Sequence, residues 1–230
     1  MQTWLVERGG EFLGKVGIIA LFGVFATLKA IAIWKLLGSW EQTTDKYLDL
    51  AGHIAALAFI TLVLGTTLLR FRPNQTSEGW EPRFSALAGS FLSLSLVALP
   101  PADLDPVWRI ISIVLVLVGW VLSIYVLAWL GRSFSIVPQA RKLITSGPYS
   151  VVRHPLYVSE EIVLIGIALM IISPIVVLVV IVQWMFQLRR MSNEERVLRS
   201  SFPEYDAYAA RTPKVIPRLL YHRSLSNRGG

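Results

Sequence analysis

Long apolar stretches alternate with short polar ones along this chain. A helix rises about 1.5 Å per residue and needs about 20 apolar residues to cross a bilayer core. Four stretches approach that length, at residues 15–37, 50–69, 84–99 and 107–130, the third being short and rich in serine. A fifth, 161–188, is divided by Ser173-Pro174. Proline removes an internal hydrogen bond and clashes with the preceding turn, so the division predicts either one kinked helix or a hairpin of two short ones.

The charges between the stretches choose between these. The segments after the first and third stretches carry Glu41, Asp45, Lys46 and Asp49, and Asp103 and Asp105. Those after the second and fourth carry Arg70, Arg72 and Arg83, and Arg132, Arg141, Lys142 and Arg153, while the region from Arg189 to Arg228 is strongly basic. Cytoplasmic loops are the Lys- and Arg-rich ones. A hairpin at Ser173-Pro174 puts every basic segment, with Arg8 and Lys15, on the inside; a kinked helix would put the basic tail outside. The pattern therefore predicts an all-α fold, a polytopic transmembrane helical bundle of about six membrane segments. Its last two segments form a short hairpin, and a cytoplasmic C-terminal helix follows. Residues 1–130 hold the four N-terminal membrane helices, 131–217 a separate functional core and 218–230 a basic tail. Trp34, Trp40, Trp108 and Trp129 fall near stretch ends, where an amphipathic ring suits the interface. Ala26 with Ala30, and Ala51 with Ala55, are spaced to let helices approach closely.

Composition narrows the function classes. Of 230 residues, 54% are hydrophobic and 16% charged, which excludes an ordinary soluble domain. The absence of cysteine removes disulfides, thiol nucleophiles and thiolate-bound metals, and three histidines leave little for a metal site. The net charge of +7 is spread over short loops, which suits membrane orientation and anionic headgroups rather than nucleic acid. Neither a signal-peptide cleavage pattern nor a sustained repeat is present. Lys29 lies within the first stretch, where an ion points to a cavity or partner unless its stem snorkels to the interface. His53, near the start of the second, reads as an interfacial or hydrogen-bonded residue.

Polar chemistry concentrates in two inside segments. The first, residues 131–157, is dense in turn formers, aromatics and cations. A residue before proline is biased to extended backbone, so His154 is held out of the following helix, its imidazole at the cytoplasmic mouth. From spacing alone this segment is equally an interfacial turn, with Arg153 on lipid phosphate, or a binding site. In the second, Leu198, Phe202 and Tyr205 recur at helical spacing and predict an amphipathic cytoplasmic helix. Arg190 and Glu194, four apart, share a face; they are either a surface ion pair or two walls of a polar chamber near His154 and Tyr157.

Four pieces of these segments carry a resemblance: Leu-Gly-Arg-Ser-Phe-Ser at 130–135, Leu-Ile-Thr-Ser-Gly-Pro-Tyr at 143–149, Arg-His-Pro-Leu-Tyr at 153–157, and Glu-Glu-x-x-Leu-x-x-x-Phe-x-x-Tyr-x-x-Tyr from Glu194, ending in Ile-Pro. Together they resemble the isoprenylcysteine carboxyl methyltransferase family of membrane enzymes and its phospholipid-methylating relatives. The resemblance covers about residues 130–217. It implies S-adenosylmethionine as cofactor, bound without a Rossmann domain by the loop, the hairpin and the C-terminal helix. Carried over by motif, Arg141, Lys142, Leu143 and Ile144 line the cofactor beside Tyr149, with His154, Pro155, Leu156 and Tyr157 as the other wall. Glu194 touches the cofactor and Arg190 faces the methyl acceptor. The family's contacts at the positions of Arg141 and Lys142 need not be basic.

These roles agree with the chemistry. Flat walls suit an adenine, a carboxylate accepts from ribose hydroxyls or an amino group, and a guanidinium holds a carboxylate acceptor by a two-point fork. An amine acceptor would instead need to lose a proton, with His154 or Glu195 as base. The expected activity is methyl transfer to a lipidic or hydrophobic acceptor, either an isoprenylcysteine-like carboxylate or another group. The expected location is a bacterial inner membrane with both termini cytoplasmic. Sterol reductases share a related Arg-His-Pro-x-Tyr loop but use a reduced nicotinamide cofactor, and their chains are usually longer; the compact length and the Glu-Glu motif favour methyl transfer. A membrane scaffold or transporter is the non-enzymatic alternative.

Overall fold

The computed structural model describes residues 2–40, 43–100 and 102–217, with side chains from residue 14 onward except 44, 45, 97 and 98. The basic tail 218–230, Glu41 and the Arg8 side chain lie outside the described residues, as does the Asp45 side chain. Among the described residues eight α-helices follow in order: α1 (Gln2–Gly38), α2 (Thr44–Leu69), α3 (Glu81–Phe91), α4 (Pro106–Leu130), α5 (Pro148–Val151), α6 (Pro155–Met170), α7 (Pro174–Ser201) and α8 (Tyr205–Arg211). Two short strands, β1 (Gln75–Thr76) and β2 (Gln139–Ala140), pair antiparallel, with Gln75 opposite Ala140. Proline stands in the first turn of each helix from α3 to α7, where its fixed φ suits the helix and its missing N–H costs nothing. Caps add to this: the Asp105 carboxylate accepts from the Val107 N–H at 2.9 Å, and the Ser173 hydroxyl accepts from the Val176 N–H at 3.4 Å.

Among the described residues, four helical spans are long and apolar enough to cross a membrane: Gly14–Gly38, Lys46–Leu69, Pro106–Ser133 and Pro174–Ser201. The fold is thus all-α and polytopic. The third apolar stretch takes a different form. Its α3 has 11 residues, about 16 Å of helix, and then tightens into a 3-10 turn (Leu92–Ala98). Ser95 bonds back to the Leu92 carbonyl at 2.7 Å within that turn, and Pro100 follows it. With 16 residues, α6 is also shorter than a full span, at about 24 Å.

Ser173-Pro174 starts α7, so the divided stretch is a hairpin of α6 and α7. Its second arm differs from the short one expected. Running 28 residues, α7 carries the Glu-Glu motif on the same helix as the membrane arm. Neither Gly nor Pro lies between Ile175 and Phe202, and the polar side chains midway find partners on α3 and α6, so nothing stops the helix. The expected stripe Leu198, Phe202, Tyr205 is broken instead: Phe202 is extended before Pro203, and Tyr205 begins α8.

The bundle is assembled pairwise. α1 lies on α2, α4 takes α2 and α6, and α7 lies on α3. Close approach of α4 and α6 depends on two glycines. A Cβ on Gly119 would stand 2.6 Å from Val163 Cγ2, and one on Gly166 would stand 2.8 Å from the Ser112 carbonyl. Beside them the buried Ser123 hydroxyl donates to the Ser159 hydroxyl at 2.9 Å. Of the alanines singled out by spacing, Ala55 is buried, Ala26 and Ala51 are half-buried and Ala30 is exposed.

The two classes of loop sit at opposite ends of the bundle. Lys15 Nζ donates to the Leu68 carbonyl and Arg132 Nε to the Leu69 carbonyl, joining the start of the apolar span of α1 (Gly14–Gly38) and the turn after α4 to the end of α2. At the other end, the Ala102 N–H donates to the Met170 carbonyl. Lys29 is half-buried in α1 and lies close enough to His53 of α2 for their charges to interact. A buried apolar cluster of Phe59, Val63, Val126, Leu127, Phe134, Ile136, Tyr149 and Leu156 underlies the basic end, and the site rests on it.

Candidate active site

The chain leaves α4 at Gly131 (φ +54°) through a 3-10 turn (Gly131–Ser133) and is then pinned from two sides. The Arg132 carbonyl accepts from the Phe71 N–H at 2.9 Å, and its guanidinium lies 4.3 Å over the Phe71 ring. Further on, β2 pairs with β1, and Gln139 Oε1 accepts from Ser135 Oγ at 2.9 Å and Arg141 Nη2 at 2.5 Å. Gly147 then turns the chain at φ +59°, and a Cβ there would stand 2.3 Å from the Trp129 ring. Only glycine meets both demands. The turn leads into α5 and places Tyr149 inward.

Another set of contacts holds the Arg-His-Pro segment. The N–H groups of Arg153 and His154 donate to the carbonyls of Pro213 and Lys214 at 2.8 and 3.1 Å. Lys214 Nζ donates to Ser192 Oγ of α7 at 3.1 Å, so the stretch before the Ile-Pro pair straps loop to helix. Glu195 accepts from Arg153 Nη1 at 3.2 Å, and its other oxygen hydrogen-bonds His154 Nε2 at 2.9 Å. Glu195 and the ring nitrogen His154 Nε2 are thus committed to each other. The Tyr208 hydroxyl donates to the Tyr149 carbonyl at 2.7 Å, tying α8 to α5.

Where α6 meets α7, the Tyr157 hydroxyl donates to Glu194 Oε1. The Arg190 guanidinium lies 4.7 Å over the Tyr157 ring, with Nε 3.5 Å from Glu194 and Nη1 donating to Ser90 Oγ of α3 at 2.8 Å. This pair is not a solvated surface ion pair: the Arg190 side chain is 5% exposed.

These groups border one pocket enclosing about 810 Å³ of space, its open mouth included. Arg141, Lys142, Leu143, Ile144, Tyr149, His154, Leu156, Tyr157, Arg190 and Glu194 all line it. Of the residues carried over by motif, Pro155 alone is not on the wall; it is the buried first residue of α6. Arg141 is buried and turned to Gln139, whereas Lys142 is exposed at the rim. The lining also includes Leu130, Ser133, Phe134, Ser135, Gln139, Arg153, Leu198, Tyr205 and Tyr208. Most of these belong to the quoted motifs, so their signal was in the sequence; only the three-dimensional path of the loop shows that they face inward. Gln139 had no such signal.

The phenols of this wall stay protonated. Burial raises Tyr149 and Tyr205 well above the usual tyrosine range and pushes Tyr208 up to about 12. The pocket therefore offers flat apolar faces, neutral hydroxyls, a carboxylate at Glu194 and guanidinium groups. Among the described residues, no group of three or more His, Asp or Glu side chains is arranged to hold a metal ion.

Residues 107–205 match the model of the phospholipid methyltransferase family. The chain is 33% identical over 142 residues to a probable protein-S-isoprenylcysteine O-methyltransferase of Oryza sativa subsp. indica, which is 57% of this chain and 74% of that protein. It is 40% identical over 91 residues to the nickel-cobalt-cadmium resistance protein NccN of Alcaligenes xylosoxydans xylosoxydans, and 41% over 85 residues to the cobalt-zinc-cadmium resistance protein CzcN of Cupriavidus metallidurans. Those matches cover 38% and 36% of this chain, and it spans only 42% and 39% of the two resistance proteins.

Proposed function

The chain belongs to the isoprenylcysteine O-methyltransferase-like family of membrane methyltransferases, and from this premise we propose that it transfers a methyl group from S-adenosylmethionine to a hydrophobic acceptor dissolved in the membrane. The observation that carries the reading is the convergence of the loop, the hairpin and α8 on one pocket at the basic end of the bundle. Bound there, S-adenosylmethionine would supply an electrophilic methyl on a sulfonium sulfur.

The donor set of the pocket fits that cofactor. Tyr149, Phe134 and Leu143 offer flat apolar surface for an adenine. Glu194 keeps acceptor capacity beyond Tyr157 for ribose hydroxyls or an amino group. The Tyr157 hydroxyl and the Arg190 guanidinium fix the Glu194 carboxylate in one orientation. His154, held by Glu195, closes the wall rather than moving a proton. In-line displacement asks mainly for alignment and exclusion of water, which a rigid, strapped loop provides.

The acceptor's apolar part would lie against the outer faces of α6 and α7, where Ile165, Ile181 and Met185 are exposed. The test is incorporation of labelled methyl from S-adenosylmethionine into solvent-extractable material by the purified full chain in membrane extract. Incorporation that falls at least a hundredfold in a folded Glu194→Ala variant is expected; no incorporation above a protein-free control would refute the reading.

A further inference from the structure

Next to the candidate pocket lies a second, shallow groove. It runs between the segment that leaves α2 and the segment that leaves β2, and Phe71, Arg72, Asn74, Arg141 and Lys142 line it. Arg141 and Lys142 line the candidate pocket as well, so the two share a wall. The other contacts here hold the groove in shape. The Asn74 N–H donates to the Ala140 carbonyl at 2.7 Å, Asn74 Nδ2 donates to the Arg141 carbonyl at 3.5 Å, and β1 pairs with β2 directly after. On the Phe71 side, the Arg132 guanidinium stands 4.3 Å from the ring.

The lining is cationic: Arg72, Arg141 and Lys142 stand with an amide and a ring, and no carboxylate is among them. Arg72 and Lys142 are both exposed, and among the described residues neither has an ion-pair partner. Arg153, Arg189, Arg190 and Arg199, by contrast, are each paired with a carboxylate. Lys15 and Arg132, the other cations close by, are committed to the Leu68 and Leu69 carbonyls at the end of α2.

The depth of the groove decides what suits it. The membrane-length span of α2 ends at Leu69, the side chains of Leu68, Leu69 and Phe71 are exposed, and Arg72 follows at once. An apolar edge thus runs straight into a cationic groove at the level where lipid headgroups lie. We propose that this groove binds the phosphate group of an anionic phospholipid of the surrounding bilayer, with Arg72 and Lys142 as its side-chain ligands and the acyl chains along Leu68, Leu69 and Phe71. A guanidinium holds two phosphate oxygens by its fork, and an ammonium adds a point charge. A zwitterionic lipid carries its own cation beside the phosphate, which three basic side chains repel, and a free phosphate leaves the apolar edge uncovered. The bound lipid ties the loop that borders the candidate pocket to the end of α2. It is distinct from the methyl acceptor, and the inference does not depend on methyl transfer.

The test is calorimetric titration of the full chain in a non-ionic detergent at neutral pH, with protein-free micelles subtracted. The probes are dioctanoyl phosphatidylglycerol, dioctanoyl phosphatidylcholine and inorganic phosphate. Wild type is expected to bind phosphatidylglycerol at least tenfold more tightly than either of the others. Arg72→Gln should weaken phosphatidylglycerol at least fivefold, whereas Arg83→Gln, which removes the same charge from an exposed position on α3, should leave it within twofold of wild type. Equal affinity of wild type for the two lipids overturns the proposal with no variant needed. Phosphate bound as tightly as phosphatidylglycerol overturns the lipid as its source. Equal affinity in the two variants shows attraction to net charge alone and overturns the assignment to this groove.

Discussion

Tyr208 shows how much of the site depends on single polar contacts. Its hydroxyl bonds the Tyr149 carbonyl from a position where burial pushes its pKa up to about 12. An unfolded tyrosine ionises near pH 10, so the folded state holds the extra proton between about pH 10 and 12. Stability from this group is complete below pH 10 and is lost as pH rises through that window. Tyr208→Phe is expected to cost about 1 kcal/mol at neutral pH, from the lost hydrogen bond, and to flatten the fall in thermal stability between pH 10 and 12. An equally steep alkaline fall in the variant would show that Tyr208 is not its source. At this scale the sequence was most legible where residue identity carries the chemistry: spacing leaves Arg190 and Glu194 as either a surface ion pair or two walls of a chamber, and the structure places both beside Tyr157. Ser90 could not be read because it acts through a partner 100 residues away, and Gln139 because a lone Gln, even with Ser135 and Arg141 close by in sequence, carries no periodic signal.

The helices depend on shape as much as on apolar length. Gly119 admits α6 so closely that a larger residue must separate it from α4, whereas nothing lies within 4 Å of a Cβ at Gly65 in α2. Gly119→Leu is therefore expected to lower stability by about 2–4 kcal/mol through overpacking, and Gly65→Ala to be neutral or stabilising by up to about 1 kcal/mol. Unfolding of the two variants in the same detergent compares them; equal effects would remove the close α4–α6 contact from this account. The spacing argument looked to Ala pairs, yet glycines on α4 and α6 make the tight approach, since a four-residue interval does not say which face is covered. The extent of α7 was hidden for a related reason. The apolar stretch reads as ending at residue 188, but Gln183 and Arg190 bond to partners on α3 and α6, and the helix runs on to Ser201.

Across the whole molecule, loop charge proved the most informative pattern. The Lys- and Arg-rich loops gather at one end and the acid-rich ones at the other, because each apolar helix reverses the chain. That gathering builds the pocket, since the loop after α4, the start of α6 and the end of α7 come from distant parts of the sequence and share only their end of the bundle. Fold class was thus legible from hydropathy and charge, and the motifs named most of the residues that line the candidate pocket. The cationic groove beside it was not legible, because Arg72 and Lys142 come together only once β1 pairs with β2. The central claim, that this pocket holds S-adenosylmethionine, is tested most directly by calorimetric titration of the detergent-purified full chain with that compound and, separately, with NADPH. The account predicts saturable heat with S-adenosylmethionine, affinity at least tenfold weaker in a folded Glu194→Gln variant, and no heat with NADPH. Saturable heat with NADPH and none with S-adenosylmethionine would contradict it.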